Sequence, residues 1–578
     1  MRPELSDTAE YILRLRYLKK DAEGNVAETP EELFRRVADH VGRAETVFGA
    51  DAREAGKVAD EFFETLTRLE FLPNSPCLMN AGRELGQLAA CFVLPVNDSL
   101  ESIFEAVKDT ALIHQSGGGT GFSFSRLRPK NDTVLSTSGV ACGPVSFMEV
   151  FDKATDVIKQ GGARRGANMG VLRVDHPDIE EFVTAKRVPS RLSCFNLSVG
   201  VTDSFMEAVL EDGLVGLVNP RNKAVTKTIR ARALFDLIVQ CAWATGEPGI
   251  LFLDEINRAN PTPDLGTIEA TNPCGEQPLL PYESCTLGSI NLARMCRREG
   301  NGWVVDFDRI AKTARTAVRF LDDVVEINRY PLVQIREMSR ANRKIGLGVM
   351  GFAHLLVRMG IPYDSDEAVR LAGDIMRHIR LHAHEASREL AVTRGPFPNF
   401  PQSIHSRRGD PPLRNATVTT IAPTGTLSMI AGCSSGIEPI YSLYTTRIVP
   451  GGISVSSMDP LFEETAQALG ILDKTLVEEV KKTGVIPPHS RIPEGLRALF
   501  KTALEIPPRR HVEIQAAFQE YTDNAVSKTV NFPRDATLED VRDAFILAHR
   551  LRCKGITVYR DGSRPGQVLT CGLASPCP

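Results

Sequence analysis

Between residues 190 and 260 the chain alternates between two kinds of run, and nothing else in it constrains the fold as much. Leu197-Ser198-Val199-Gly200-Val201 reads as a strand, while residues 233–244 carry the apolar spacing of a helix. Strands and helices in alternation build a mainly parallel sheet with helices on its faces. Further on, Ala416-Thr417-Val418-Thr419-Thr420-Ile421 is β-rich and runs at once into Pro423-Thr424-Gly425-Thr426-Leu427. A strand feeding a Gly/Thr turn that opens a helix presents amide donors at a positive dipole end, where phosphate can be held. An ordinary turn with a capping threonine reads the same way.

The elements before this frame differ in kind. Residues 5–75 read as helical: Tyr11, Ile12, Leu15 and Leu18 keep helical spacing, Pro30-Glu31-Glu32 looks like a helix start, and a further helix is expected over residues 60–69. Cys91-Phe92-Val93-Leu94 suits a buried strand, and Asn97-Asp98-Ser99 can cap a helix through Ile103, Phe104, Val107 and Ile113. Next, Ser116-Gly117-Gly118-Gly119-Thr120-Gly121-Phe122 suggests backbone brought close to a ligand, or a tight packing turn. It has neither the P-loop ending nor the dinucleotide-fold spacing. A helix after Pro144 ends in Lys159-Gln160-Gly161-Gly162-Ala163-Arg164-Arg165-Gly166, whose cations suit a nucleotide phosphate or simply a solvated loop. Residues 311–325 and 366–392 are further helices. His378 and His382 lie one turn apart on the second, but no third ligand is evident and no metal site is expected.

One short stretch carries the chemistry. Asn272-Pro273-Cys274-Gly275-Glu276 sets an amide, a thiol and a carboxylate at alternate positions, and Cys285 follows. In an extended segment these three would face one side. Gly275 lets a close turn form there, and a polar surface loop with a chance cysteine reads the same way.

Composition narrows the possible partners. A net charge of −4 gives no basic field for nucleic acid. No apolar run is long enough for a bilayer and the N-terminus has no secretory core, so a cytoplasmic protein is expected. Twelve cysteines in 578 residues are too sparse for a disulfide scaffold, and none form a two-residue-spaced pair that would suggest a zinc ribbon.

Taken together, the chain resembles the catalytic subunit of ribonucleotide reductase, in its class II, adenosylcobalamin-dependent form. The likeness runs through Pro73-Asn74-Ser75-Pro76, Ala90-Cys91, residues 117–122, residues 160–168, residues 272–276, Ser284-Cys285, residues 423–427 and Gly555-Ile556-Thr557-Val558-Tyr559-Arg560, in order along nearly the whole chain. It implies a ten-stranded α/β barrel of two five-stranded parallel halves with a central finger loop. The expected divisions are a helical segment over 1–75, the barrel over 76–562 with effector-binding elements at about 97–170, and a tail over 563–578. By resemblance, Cys274 becomes a thiyl radical, shielded by burial, that takes the 3′ hydrogen of the ribose. Glu276 is the base on the 3′ hydroxyl, Asn272 orients it, and Cys91 with Cys285 supplies reducing equivalents as a dithiol. Ser75, Ala90 and Gly119 would line the substrate site, and Pro423, Thr424, Gly425, Thr426 and Leu427 would hold its phosphates. Asp98, Ser99, Leu100, Lys159, Gln160 and Arg164 match the region that binds a deoxynucleotide effector at a homodimer contact.

Class follows from detail. Class I forms relay a radical through adjacent tyrosines where this chain has Val558-Tyr559, and no class III glycyl-radical segment is found. No Asp-x-His-x-x-Gly cobalamin motif is present either. The helical segment looks too short for the ATP-cone of the family. In the tail, Cys571 and Cys577 are candidates for a shuttle pair driven by thioredoxin or a similar dithiol, or are incidental thiols. A diphosphate substrate is expected. The alternatives are a class I large subunit needing a metal-bearing radical partner, and a nucleotide-binding homologue that has lost its chemistry.

Overall fold

Residues alternate between two apolar environments along the main strands, and that alternation gives the sheet an inside and an outside. On Cys91–Val93, Phe92 joins an outer core while Cys91 and Val93 face inward. On Asn168–Arg173, Met169 and Val171 point in and Leu172 out. The computed structural model describes residues 2–134, 139–160, 164–300, 302–449, 453–488, 492–564 and 569–571.

The sheet contains β1 (Phe71–Pro73), β2 (Cys91–Val93), β3 (Gly119–Ser123), β4 (Asn168–Arg173), β5 (Phe195–Val201), β6 (Gly249–Phe252), β7 (Ser284–Asn291), β8 (Ile345–Met350), β9 (Thr529–Phe532) and β10 (Gly555–Arg560). From β2 to β6 every neighbour is parallel. β7 runs parallel to β8, and β9 to β10. The two sets meet antiparallel at two seams, β2 with β7 and β6 with β10. Between β8 and β9 passes the β-rich segment 416–421, joined by single parallel bridges, Leu347 to Thr419 and Ile421 to Val526. This is the expected order of two parallel halves of five, with one position of the second half carried by bridges rather than a full ladder. Two of that segment's amides turn elsewhere: the Asp523 carboxylate accepts from the Val418 and Thr419 N–H groups at 2.9 and 3.3 Å. β1 is an extra antiparallel strand on β7.

Helices form two outer shells. In chain order the ones that matter are α1 (Asp7–Arg16), α2 (Pro30–Gly42), α3 (Ala52–Thr67), α4 (Leu100–Gln115), α5 (Pro144–Val157), α6 (Ala231–Thr245), α7 (Phe307–Ile327), α8 (Asp366–Arg394) and α9 (Leu427–Ala431). The helix expected over 60–69 is α3, which starts earlier because Asp51 and Glu54 form a reciprocal capping box at its N-terminus. α1 to α3, α7 and α8 share one core with β8, in which Phe62 and Phe320 meet edge to face at 5.0 Å. α4, α5 and α6 cover the first parallel half. Among the described residues no helix is long and apolar enough to cross a membrane.

Candidate active site

A small hairpin enters the sheet's inner side. Its arms are Ala270–Thr271 and Pro278–Leu279, and its inward apolar residues pack with Val93, Met169, Val171 and Leu251. The glycines of the 116–122 run make room for it. A Cβ on Gly121 would lie 1.7 Å from the Thr271 carbonyl oxygen, and one on Gly119 would lie 3.0 Å from Pro273 Cγ. Backbone is indeed brought close there, and what it approaches is this hairpin.

The tip, residues 272–277, is tied down from several sides. The Asn272 N–H donates to the Gln277 carbonyl at 3.2 Å and the Asn272 side-chain oxygen accepts from the Gln277 N–H at 2.9 Å. Thr420 Oγ1 and the Ala525 N–H both donate to the Glu276 carbonyl, at 2.8 and 3.0 Å, and Asn196 Nδ2 donates to the Pro273 carbonyl at 2.8 Å. Gly275 turns the chain at φ +81°. The loop is therefore a closed turn, not the extended segment expected, yet Asn272, Glu276 and Cys274 all come up to Cys91. Asn272 and Glu276 are buried, and Cys274 is exposed at the apex. The expected burial of Cys274 is corrected accordingly: its side chain looks into a cavity of about 1680 Å³.

Behind the tip lie the other two thiols. Cys91 on β2 and Cys285 on β7 stand directly opposite each other across the antiparallel seam. Opposed residues in such a ladder have Cα atoms about 4.5–5.5 Å apart, within reach of a disulfide. Both are buried, in a cluster with Leu287, Ala422 and Ala90. Asn272 Nδ2 donates to Cys91 Sγ at 3.1 Å. Burial pushes the Cys91 thiol up, and Glu276, Cys285 and Cys274 push it further in the same direction. Cys285 is also raised, first by burial and then against the pull of Lys344, with Glu276 and Glu283 adding to the rise. Three thiols, an amide and a carboxylate thus occupy one locality, although the sequence spreads them over nearly two hundred residues.

Other expected residues fall around this locality. Pro423, Gly425 and Thr426 line the same cavity as Cys274. Thr424 stands at φ +54° and its hydroxyl accepts from the Gly436 N–H at 2.7 Å, which fixes the turn before α9. Leu427 is buried as the first residue of α9, a helix of five residues. Ala90 accepts from the Gly119 N–H at 2.9 Å, which places both beside the thiols. Ser75 bonds the Tyr17 hydroxyl at 2.7 Å, at the end of β1.

The effector candidates form a separate region on α4 and its surroundings. Asp98 is engaged by Arg128, with Nε at 2.8 Å, Ser99 caps α4, and Leu100 is exposed. The backbones of Lys159 and Gln160 pair with Arg165 and Arg164. Their side chains lie outside the described part of the molecule, as do Cys577 and the side chain of Cys571. The Cys571 backbone pairs with Thr445, and Thr445 lines the cavity. His378 bonds the Phe307 carbonyl and His382 bonds Glu385.

Sequence reading missed several positioning groups. Thr420 and Asn196 carry no motif, and Lys344 and Glu283 form a buried pair at 2.6 Å next to Cys285. His114, which burial lowers to about 4 and so keeps neutral, bonds Thr120, which donates to Asn168, which in turn donates to Thr155 on α5. The spacing of these residues holds no signal that could have found them.

Comparison with known proteins decides the family. The family model described as "Ribonucleotide reductase, barrel domain" matches residues 89–412 and 409–559, and "Ribonucleotide reductase, all-alpha domain" matches residues 3–86. The chain belongs to the ribonucleotide reductase large-subunit family. It is 49% identical to the vitamin B12-dependent ribonucleoside-diphosphate reductase of Thermoplasma acidophilum, over 99% of this chain and 81% of that one. It is 52% identical to the protein of the same name from Mycobacterium tuberculosis, over 99% and 82%. Among solved structures, the class Id ribonucleotide reductase alpha subunit of Actinobacillus ureae superposes with a TM-score of 0.78 at 25% identity, covering 97% of this chain and 99% of that one. In this chain Val558 is buried in the outer core, and both it and Tyr559 border the cavity.

Proposed function

We propose that this chain is a class II ribonucleotide reductase that converts ribonucleoside diphosphates to 2′-deoxyribonucleoside diphosphates with adenosylcobalamin. The observation that carries the reading is the seam pair Cys91 and Cys285, buried beside Asn272 and Glu276, with Cys274 above them at the cavity wall. A binding protein would have no use for three such thiols.

The cavity fits two ligands. Pockets for one small molecule span about 300–1,000 Å³, and this one is about 1680 Å³ and accessible to the Cys274 side chain. The corrinoid would be held by lining residues away from the nucleotide, Tyr441 and Met458 among the candidates. When bound, it supplies the one-electron chemistry that takes the thiol hydrogen from Cys274. The protein does the rest by placement. Residues 423–427 hold the diphosphate through the turn before α9, with Ser75, Ala90 and Gly119 bounding the sugar. The Cys274 sulfur takes the 3′ hydrogen, Glu276 accepts the 3′ hydroxyl proton, and Asn272, fixed by Gln277, orients that hydroxyl. As the 2′ hydroxyl leaves as water, Cys91 and Cys285 give up two electrons and two protons and join as a disulfide. Val558, immersed in apolar core, offers no redox-active group where a two-tyrosine relay would need one, which supports the cobalamin class over one needing a metal-bearing partner chain.

The same reading assigns a homodimer, with effector deoxynucleotide bound near Asp98, Ser99, Leu100, Lys159, Gln160 and Arg164. Leu100, Phe104 and Leu112 support it, being exposed on α4 by 63, 53 and 40%. The reductant is thioredoxin or a similar dithiol reaching the site through Cys571 and Cys577, and the setting is cytoplasmic. The test is deoxynucleotide production from the purified chain with a nucleoside diphosphate, a dithiol and adenosylcobalamin. Turnover without any second protein, lost in Cys274→Ser, is expected. Activity that appears only with a metalloprotein partner would refute the assignment.

A further inference from the structure

The strand register sets two thiols and an amine in one row inside the sheet. β7 and β8 are parallel, with Thr286 opposite Ile345 and Leu287 opposite Gly346. Extended one residue back, to the position just before β8, that register sets Cys285 beside Lys344, whose charge acts on the thiol. Side chains alternate along a strand, so Cys285 and Lys344 share the inward face with Leu287 and Gly346. Leu287 packs with the two cysteines there, and a Cβ on Gly346 would touch Leu287 and Gln277. On the other side of Cys285 lies Cys91. The row across β2, β7 and β8 therefore reads Cys91, Cys285, Lys344.

Lys344 is held in that row by burial and pairing. It is 2% exposed, and its ammonium meets Glu283 at 2.6 Å. Glu283 is fixed in turn, accepting from Asn342 Nδ2 at 2.5 Å and from the Leu280 N–H at 2.7 Å. The two cysteines thus have unlike neighbours. Cys285 has a cation on its flank, along with Glu283 and Glu276. The groups that act most on Cys91 are Glu276 and the other two thiols, and the neutral amide of Asn272 donates to it.

We propose that Lys344 is a positioning residue that polarises the Cys91–Cys285 disulfide, so that a reducing thiol attacks the sulfur of Cys91 and Cys285 departs. This rests on the thiol pairing proposed above and adds a direction to its recovery. The incoming thiolate forms a bond to Cys91 Sγ while the Sγ–Sγ bond breaks, and its electron pair stays on Cys285 as a thiolate facing Lys344. The second thiolate of the reducing dithiol then attacks the reductant's sulfur in the mixed disulfide, releasing Cys91. The reductant ends oxidised, and its two protons end on Cys91 and Cys285. A leaving thiol of lower pKa leaves faster, which is why the cation selects Cys285.

The experiment uses the full chain oxidised with diamide, treated briefly with 2-mercaptoethanol as a neutral monothiol, quenched in acid, alkylated and mapped by mass spectrometry. In the wild type the mercaptoethanol adduct is expected on Cys91, with Cys285 recovered as a free thiol. Lys344→Met alone would leave Glu283 charged and buried, so the neutral test is Lys344→Met with Glu283→Gln. With a Brønsted coefficient of about 0.45, each pKa unit taken from the leaving group changes its departure about threefold. The double variant removes the pull of Lys344 and the smaller opposing push of Glu283 together, so the Cys91-to-Cys285 adduct ratio should fall in it and be kept in Lys344→Arg. An adduct mainly on Cys285 in the wild type, or an unchanged ratio in the double variant, overturns the proposal. Failure of diamide to join Cys91 to Cys285 at all would instead sink the pairing on which it stands.

Discussion

Adding one methyl group at Gly121 tests how the site is built. In the native geometry an alanine Cβ there would sit 1.7 Å from the Thr271 carbonyl oxygen and 2.8 Å from its carbonyl carbon. Restoring an allowed contact of about 3.0 Å requires one partner to move by about 1.3 Å. β3 cannot yield easily, because parallel ladders hold it to β2 on one side and β4 on the other. The hairpin is the softer partner, its tip fastened by single hydrogen bonds from Thr420, Ala525 and Asn196. Overpacking of this kind costs about 1–3 kcal/mol, a fraction of the roughly 5–15 kcal/mol by which proteins are stable, so Gly121→Ala should still fold. Displacing reacting groups by about 1 Å costs roughly a hundredfold in rate, and Cys274 and Glu276 ride on the displaced loop. The assay is steady-state deoxynucleotide formation, with nucleotide affinity measured separately by equilibrium binding. We expect kcat to fall about a hundredfold while affinity for the diphosphate changes little, because residues 423–427 lie outside the hairpin. A variant within threefold of wild-type turnover would refute the claim that the glycine exists to admit the finger loop.

Three further outcomes follow from other parts of the molecule. Burial would push the Asp322 carboxyl up, yet Arg343 and Arg414 bring it down to about 2. A carboxylate lowered in the folded state stabilises above its unfolded pKa, near 4, and that stability is lost as pH falls toward 2. The urea midpoint should therefore decline over that window, and Asp322→Asn should be destabilised at pH 7 but decline less on acidification. Gly56 sits exposed within α3 with nothing within 4 Å of an added Cβ. Gly56→Ala should accordingly raise stability by about 0.5–1 kcal/mol, read as a shift in urea midpoint with turnover unchanged. Joint Cys571→Ser and Cys577→Ser replacement should abolish thioredoxin-driven turnover and spare turnover with dithiothreitol; intact thioredoxin-driven activity would remove the shuttle role.

What could be read from the sequence follows from the range over which each feature is decided. Local periodicity sets the alternation of Phe195–Val201 with Ala231–Thr245, and both elements form where the pattern puts them. Capping is nearly as local, and the early start of α3 could have been read from Asp51 and Glu54. The site is another matter. Period-two reasoning brought Asn272, Cys274 and Glu276 together, and they do meet around Cys91, but through a conformation set by distant groups: Thr420, Ala525 and the space left by Gly119 and Gly121. Those contacts turn the expected extended run into a closed turn, burying the amide and the carboxylate and leaving the sulfur at the apex. The meeting of Cys91 with Cys285 is still less local. It depends on β2 and β7 lying at the antiparallel seam between two parallel halves, which composition and spacing do not specify and family resemblance supplied. Lys344 is the extreme case, since in one dimension it is an ordinary lysine before a strand. Only the register of β8 on β7 brings its charge alongside a thiol, so its effect on that thiol is a property of the sheet rather than of any motif.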